Sequence, residues 1–243
     1  MDDVTAAKLL IKCLDLTSLN LSDTDEKITN LCSRGKTSYG NVAALCVYPQ
    51  FIPLAKKNLP KDIKVATVIN FPAGLADIAL LQKELSFAVA SGADEFDVVL
   101  PYRTMLSGDI KFCSEYLAKA REITHQKKLK IIIESGELKT VQAIKQAALL
   151  CIDAEADFIK TSTGKTDISA TPEAANIILE TISQNNKNIG FKASGGIKTL
   201  DDAKKYLTLA QSIMGPAWVD SSHFRIGASS VLNNLLEVIN RGY

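Results

Sequence analysis

The chain has 243 residues, of which 47% are hydrophobic and 23% are charged, and its 28 Lys and Arg nearly balance its 27 Asp and Glu. This composition is typical of a soluble globular protein and excludes a collagen, an intrinsically disordered chain and a small disulfide-stapled scaffold. The net charge of +1 predicts no nucleic-acid partner, and the absence of any apolar run near ~18 residues predicts no membrane span.

The cysteines and histidines narrow the chemistry. The five cysteines are scattered, and no two form a Cys-x-x-Cys pair. Together with an amino terminus that begins with two acids, unlike a signal peptide, this predicts reduced, mostly buried thiols in a cytoplasmic protein. Only His125 and His223 are available as histidines, and neither lies in a zinc-ligand or Ser-His-Asp motif. We therefore expect no metal, and catalysis by lysine and carboxylate side chains.

Short β-branched apolar runs alternate with helical patterns along the whole chain. The predicted strands are Cys13–Thr17, Ala44–Tyr48, Lys64–Asn70, Glu95–Leu100, Leu129–Glu134, Asp157–Ser162, Gly190–Ser194 and His223–Gly227. The predicted helices are Asp23–Arg34, Ala76–Ala90, Ser107–His125, Leu138–Cys151, Pro172–Gln184, Thr199–Leu209 and Ala228–Asn240. Eight strands alternating with helices predict an α/β fold, a single (β/α)8 TIM barrel, with residues 1–243 forming one domain.

The alternative fold is a doubly wound open sheet, which usually has fewer strands and often carries a nucleotide-binding fingerprint. The sequence contains no Gly-x-Gly-x-x-Gly motif. Residues 162–166 resemble the end of a phosphate-binding P-loop, but that motif requires glycine five residues before Gly164, where this chain has Ile159. The pattern therefore favours the barrel.

Several polar side chains are predicted to point into the barrel, because strand side chains alternate between the interior and the helix layer. Six of them lie at or near strand carboxyl ends: Asp15, Asn70, Asp97, Glu134, Lys160 and Lys192. An unpaired charge inside a packed barrel is costly, so these groups must neutralise one another or bind a ligand. Active sites of this fold lie at the same face. The alternative is that the strand ends emerge into solvated loops, where charges are free.

Lys160 and Lys192 end consecutive predicted strands, which lie about 5 Å apart in a barrel. Two ammonium groups at that distance repel by about 3 kcal/mol at an effective dielectric constant near 20, or about two pKa units. Partial burial lowers the pKa further, which leaves a neutral amine able to attack a carbonyl and form a Schiff base. Asp97 could shuttle the protons. The alternative is that both lysines only form an ion network with Asp97 and Glu134.

Glycine-rich turns follow the last two predicted strands, at residues 194–196 and 227–230, and the second turn opens a helix. The loops after strands seven and eight, with backbone N–H groups at a helix start, form the usual phosphate site of a TIM barrel. Lys165, after the sixth strand, could add a positive charge. Glycine pairs are often only turns, but their presence in both expected loops predicts a phosphorylated substrate.

Seven segments resemble the signature sequences of the deoxyribose-phosphate aldolase family, in one register over nearly the whole chain. They are LDLTSLN (14–20), CVYPQF (46–51), DEFDVVLPYR (94–103), IIESGEL (132–138), DFIKTSTGK (157–165), GFKASGG (190–196) and FRIGASS (224–230). The segments FIKTSTGK and GFKASGG together are the most specific of these. The resemblance implies a class I, metal-independent aldolase on a (β/α)8 barrel.

The same resemblance implies the reaction and the roles of residues. The enzyme would use no cofactor and would reversibly cleave 2-deoxy-D-ribose 5-phosphate to acetaldehyde and D-glyceraldehyde 3-phosphate, in deoxynucleoside catabolism. Lys160 would be the Schiff-base nucleophile, Lys192 the neighbour that lowers its pKa, and Asp97 the proton-relay carboxylate. Asp15 would support the relay and contact the substrate hydroxyl. The residues implied for the phosphate and its surroundings are Gly164, Lys165, Gly195, Gly196, Gly227, Ser229 and Ser230.

Two other functions stay open beside this one. A transaldolase-like Schiff-base enzyme on the same fold would use a dihydroxyacetone or longer ketose donor. A non-catalytic sugar-phosphate sensor would be expected to lack one of Asp97, Lys160 and Lys192, and all three are present. The predicted partners are phosphorylated sugars and aldehydes, and the chain is compatible with a homodimer. Some relatives carry a terminal tyrosine that reaches the active site; here little tail precedes Tyr243, which predicts an idle terminus.

Overall fold

Eight parallel strands close into a barrel in the computed structural model, which describes residues 1–242. They are β1 (Leu14–Thr17), β2 (Ala44–Val47), β3 (Lys64–Ile69), β4 (Glu95–Val99), β5 (Lys128–Ile132), β6 (Phe158–Lys160), β7 (Gly190–Ser194) and β8 (Phe224–Ala228). Each strand pairs with the next, and β8 pairs with β1. The predicted (β/α)8 barrel is confirmed, and each strand lies within two residues of its predicted range. The prediction for Tyr243 falls outside the described residues.

Helices surround the barrel. Over residues 1–242 they are α1 (Asp3–Lys12), α2 (Asp25–Arg34), α3 (Ile52–Asn58), α4 (Ile78–Ala90), α5 (Tyr102–Leu106), α6 (Ile110–Thr124), α7 (Ser135–Leu138), α8 (Val141–Asp153), α9 (Pro172–Asn185), α10 (Leu200–Met214) and α11 (Val231–Arg241). None of them is both long enough and apolar enough to cross a membrane.

The helices differ from the prediction where the backbone leaves the right-handed region. Gly108, with φ of 96°, separates α5 from α6, so the predicted helix over 107–125 begins only at Ile110. Lys139, with φ of 59°, separates α7 from α8 in the same way. Four helices, α1, α3, α5 and α7, and the small antiparallel pair of Lys36–Thr37 and Gly40–Asn41 were not predicted from the sequence.

Threonine side chains fix the starts of several helices at the carboxyl-end face of the barrel. Thr171 accepts a hydrogen bond from the backbone N–H of Ala174 and is followed by Pro172, as predicted. Thr199 and Asp202 form a reciprocal capping box at α10. A cap of this kind contributes about 1 kcal/mol to stability. The first turn of α11 is different, because the side chain of Ser230 makes no capping hydrogen bond.

The strands have two different faces. Phe96 and Val98 of β4 are buried in the apolar layer between barrel and helices, whereas Glu95 and Asp97 point inward, as predicted. The interior itself is divided. Its β2 and β3 side is an apolar cluster that contains Ala44, Cys46, Ala66 and Val68, and the remaining strands supply charged groups. The five cysteines, Cys13, Cys32, Cys46, Cys113 and Cys151, are buried free thiols.

Candidate active site

Seven charged side chains form a network inside the barrel, and none is more than 3% exposed. The anions are Asp15, Glu95 and Asp97, and the cations are Lys130, Lys160, Lys192 and Arg225. They come from six strands, β1 and β4 to β8. Hydrogen bonding between strands fixes their relative heights, so the network is a product of barrel closure.

Asp97 lies at the centre of the network. Its Oδ2 accepts hydrogen bonds from the Nζ atoms of Lys160 and Lys192, at 2.8 and 2.7 Å. Its Oδ1 accepts one from Lys130, at 2.9 Å. Burial alone would raise the pKa of Asp97, but these three cations hold it well below its usual range. Asp97 is therefore a fixed anion that links three lysines.

Asp15 and Glu95 form further ion pairs with Lys130, Lys192 and Arg225. Asp15 accepts hydrogen bonds from Lys192 and Arg225, each at 2.5 Å, and lies 3.3 Å from Lys130. Glu95 accepts from Arg225 at 3.1 Å and lies 2.6 Å from the Nζ of Lys130. Each of these cations thus has two or three carboxylate partners. Lys160 has one.

This difference shifts the pKa values of Lys160 and Lys192 in opposite directions. Burial lowers the pKa of Lys160, and the charge of Lys192 adds to that effect, whereas Asp97 opposes it incompletely. Burial alone would also lower the pKa of Lys192, but Asp15 and Asp97 outweigh it and raise that pKa above its ordinary value. The pKa values of the two lysines are therefore shifted in opposite directions, and Lys160 is the one that releases its proton more readily.

The cause of the lowered pKa of Lys160 differs in part from the prediction. Lys160 and Lys192 are direct neighbours in the pairing of β6 with β7, as predicted. The sequence analysis gave repulsion by Lys192 as the main cause, with burial as an addition. In the structure burial is the larger cause, because Lys160 is only 3% exposed and Asp97 offsets part of the repulsion.

A cavity of about 220 Å³ opens above Lys160 at the carboxyl-end face. The seven residues predicted for the phosphate and its surroundings all line it: Gly164, Lys165, Gly195, Gly196, Gly227, Ser229 and Ser230. Asp15 is absent from the lining and is fully buried. Its carboxylate is already occupied by three cations, so its predicted contact with a substrate hydroxyl stays a prediction that this geometry does not support.

Two glycines allow the close approaches on which the cavity depends. Gly195, with φ of 90°, lies against Ser169, where an added Cβ would come within 2.5 Å of that side chain. At Gly227 an added Cβ would lie 2.9 Å from Cε of Lys192. Lys192 can therefore extend to Asp97 only because β8 has no side chain at this position.

The mouth of the cavity has the properties of an anion site. Ser229 and Ser230 are exposed at the start of α11, where the uncapped N–H groups and the helix dipole favour negative charge. Lys165 spans the mouth and donates from Nζ to the carbonyl oxygen of Leu19 at 2.8 Å. Within residues 1–242, no cluster of three or more His, Cys, Asp or Glu side chains could hold a metal ion.

Asn70 and Glu134 do not join the network, although the alternation pattern placed them with it. Both lie just beyond strand ends and have positive φ angles, 56° and 51°. The two-residue alternation therefore stops before it reaches them. Asn70 instead bonds the backbone of Leu75. Glu134 accepts a hydrogen bond from Thr163 Oγ1 at 2.6 Å and so anchors the loop that carries Gly164.

Three members of the network were missing from the predicted site: Glu95, Lys130 and Arg225. The alternation pattern gives Glu95 and Lys130 inward-facing side chains. Neither was included in the predicted site, because that site was confined to residues at or near the carboxyl ends of strands. Arg225 lies two residues before Gly227 in β8, so the alternation pattern places both on the inward face of the strand. Inward-facing charges near the amino end or in the middle of a barrel strand are thus as informative as charges at its carboxyl end.

Comparison with known proteins now gives the family. The model of the DeoC/LacD family of aldolases matches residues 9–236. The chain belongs to this aldolase family. The solved structure of QR15, an aldolase, is 30% identical, with a TM-score of 0.83 over 96% of this chain and 97% of that one. Lys160 of this aldolase is the last residue of β6 and lines the cavity at the barrel face where active sites of TIM barrels lie.

Two further structures resemble the aldolase over nearly its full length. A protein of Coccidioides immitis, provisionally assigned as a deoxyribose-phosphate aldolase, is 27% identical, with a TM-score of 0.84 over 96% of this chain and 86% of that one. The tetrameric deoxyribose phosphate aldolase of Aeropyrum pernix is 24% identical, with a TM-score of 0.77 over 100% of this chain and 98% of that one. The second likeness concerns the fold alone.

Proposed function

We propose that this aldolase reversibly cleaves 2-deoxy-D-ribose 5-phosphate to acetaldehyde and D-glyceraldehyde 3-phosphate, with Lys160 as the Schiff-base nucleophile. One observation carries the proposal. Lys160 is the network cation with a single carboxylate partner, and it also lines the cavity. A buried amine below an anion-binding mouth suits a phosphorylated aldehyde.

The first step is attack of the neutral Nζ of Lys160 on C1 of the open-chain sugar. The carbonyl oxygen takes a proton, and the resulting carbinolamine loses water to give a protonated Schiff base. Oδ2 of Asp97 lies within hydrogen-bonding distance of both Lys160 and Lys192, at 2.8 and 2.7 Å. The proton that the Lys160 nitrogen releases after attack can pass through this oxygen to the former carbonyl oxygen of the sugar, which is the relay role proposed for Asp97, while Lys192 keeps its proton.

Cleavage then uses the Schiff base as an electron sink. The C3 hydroxyl gives its proton to the relay of Asp97, the C2–C3 bond breaks, and the electron pair of that bond moves into the iminium group to form an enamine. The three-carbon fragment leaves as D-glyceraldehyde 3-phosphate. Protonation of the enamine at C2 and hydrolysis by water release acetaldehyde and restore the amine of Lys160.

The phosphate would bind at the mouth of the cavity. In this proposal the backbone at Gly195 and Gly196 and the start of α11 at Ser229 and Ser230 surround it, with Lys165 beside it. Backbone N–H groups suit this task because they bind an anion without the cost of ordering a long side chain. The fixed distance between this phosphate site and Lys160 would then favour a sugar whose phosphate and C1 carbonyl are the same distance apart.

The test is borohydride reduction of the enzyme in the presence of acetaldehyde, followed by peptide mass spectrometry. We expect a stable ethyl adduct on Lys160, and none in Lys160→Ala. Lys57→Ala, which changes an exposed lysine of α3, is the matched control and should trap normally. Trapping at another lysine contradicts the assignment, and a preference for a dihydroxyacetone donor would indicate a transaldolase-like enzyme instead.

Four remaining features stay predictions. Activity should survive EDTA, because the proposed chemistry needs only amine and carboxylate groups. The homodimer is tested by sedimentation, and the cytoplasmic location and the role in deoxynucleoside catabolism by fractionation and growth on deoxynucleosides.

A further inference from the structure

Lys160 is the one member of the network that lines the cavity, and three of the other members have no role in the proposed chemistry. Glu95, Lys130 and Arg225 are buried, and none of the three lines the cavity. We propose that they are positioning residues that keep Lys160 unprotonated by leaving the closed network one positive charge in excess. This inference rests on the proposed function only in taking Lys160 as the nucleophile.

The charge count follows from the composition of the network. It holds three carboxylates and four cations, so full ionisation would leave 4 − 3 = 1 uncompensated positive charge in the barrel interior. A buried charge without a partner is the arrangement that proteins avoid most strongly, and release of one proton removes it. Glu95 and Arg225 enter this count on equal terms with the residues that contact the nucleophile.

The partners of each cation decide which one releases the proton. Lys130 has carboxylate oxygens of Glu95 and Asp97 at 2.6 and 2.9 Å. Arg225 has Asp15 and Glu95, and a guanidinium group keeps its proton in proteins. Lys160 shares a single oxygen of Asp97 with Lys192. Lys160 is therefore the cation that releases its proton, because its deprotonation breaks the fewest ion-pair contacts.

Other titratable groups near Lys160 do not change the count. Cys46 faces the network from β2, and burial raises the pKa of its thiol to about 11, so it is neutral near pH 7. The β3 side contributes the apolar Ala66 and Val68. At the mouth the charged groups are Lys165, Lys198 and Glu134. They are the same in every variant below, so differences between variants report on the network.

Two single variants should shift the pKa of Lys160 in opposite directions. Glu95→Gln removes a negative charge at nearly constant shape and raises the excess to two. The rising limb of the pH–rate profile for borohydride trapping by acetaldehyde should then shift to lower pH by about one unit. Arg225→Met removes the excess, and the same limb should shift to higher pH by about one unit. The double variant should return close to the wild-type profile.

The expected increase in trapping rate in Glu95→Gln distinguishes an effect of charge from an effect of structural damage. One pH unit below the wild-type midpoint this variant should trap acetaldehyde about fivefold faster than wild type, and the ratio should approach about tenfold at lower pH, which a loosened barrel would not do. Thermal unfolding checks that each variant is folded, and Arg225→Lys, which keeps the charge, is the control for size. If Arg225→Met fails to fold, Glu95→Gln alone decides.

The outcomes distinguish this inference from the proposed function. Trapping on Lys160 with an unmoved limb in Glu95→Gln, or with both single variants shifted in one direction, overturns the role of the three residues. Absence of any Lys160 adduct in the wild type overturns the proposed function first. Opposite shifts and a restored double variant support the inference, whatever sugar the enzyme uses.

Discussion

Lys160 is a residue at which catalysis and stability conflict. A lysine whose folded-state pKa lies below its ordinary value costs stability, because the folded chain binds fewer protons than the unfolded one. That cost is fully present below the folded-state pKa of Lys160, and it disappears as the pH rises toward the ordinary value of 10.5. The contribution of Lys130 to stability has the opposite sign. Asp15, Asp97 and Glu95 outweigh the effect of its burial and raise its pKa.

We therefore predict that Lys160→Met stabilises the protein near pH 7, by about 1 kcal/mol or more, or about 2–4 °C in Tm. The difference from wild type should narrow as the pH rises toward 10.5, and thermal unfolding at several pH values measures it. Lys130→Met is the matched control and should lower Tm, because it leaves buried carboxylates without a partner. A lower Tm in Lys160→Met would show that Lys160 is an ordinary stabilising ion-pair member.

At the scale of elements, the start of α11 differs from the starts of α9 and α10. Threonine caps close those two helices, whereas the side chain of Ser230 leaves the first turn of α11 uncapped. A capping side chain would compete with a ligand for the same N–H groups. The element that contributes to the proposed phosphate site is thus the one whose N terminus remains available.

Ser230→Glu places a carboxylate at this helix start, where it should repel the phosphate of the substrate. We predict that KM for 2-deoxyribose 5-phosphate rises on the order of tenfold, which corresponds to about 1.4 kcal/mol. KM for unphosphorylated 2-deoxyribose should hardly change, because that substrate lacks the anion. Ser222→Glu, far from the cavity lining, is the control. Equal losses on both substrates would place the phosphate elsewhere.

At the scale of the whole molecule, barrel closure joins the two ends of the chain. Asp15 of β1 pairs in register with Gly227 of β8, and its carboxylate accepts a hydrogen bond from Arg225. The charged network also crosses from β4 to β1 through Glu95 and Arg225. Neither half of the barrel can satisfy these groups by itself, because an open barrel leaves strand edges and charges unpaired.

The predicted single domain over residues 1–243 therefore makes a measurable claim. We predict one cooperative thermal transition, with far-ultraviolet and near-ultraviolet circular dichroism changing at the same temperature. The calorimetric and van't Hoff enthalpies should agree. Two resolved transitions would indicate that halves of the barrel unfold separately and would contradict the single domain.

The periodicity of the sequence determined the barrel, because a two-residue alternation is a local property that survives in any register of neighbouring strands. It therefore predicted the strands and the inward faces of Asp97, Lys160 and Lys192, whereas the glycine turns of the cavity were predicted from glycine-rich segments that follow the last two strands. It failed just past the strand ends, at Asn70 and Glu134, where positive φ angles stop the alternation.

The tertiary structure alone separated the pKa values of the two lysines. Lys160 and Lys192 have the same side chain and the same parity, and no local pattern separates them; the family resemblance did so only by analogy. The difference lies in the number of carboxylates that closure brings to each, such as Asp15, which meets Lys192 across 177 positions in the chain. A pKa depends on every charge within reach through a low-dielectric interior, and those distances exist only once the barrel has closed.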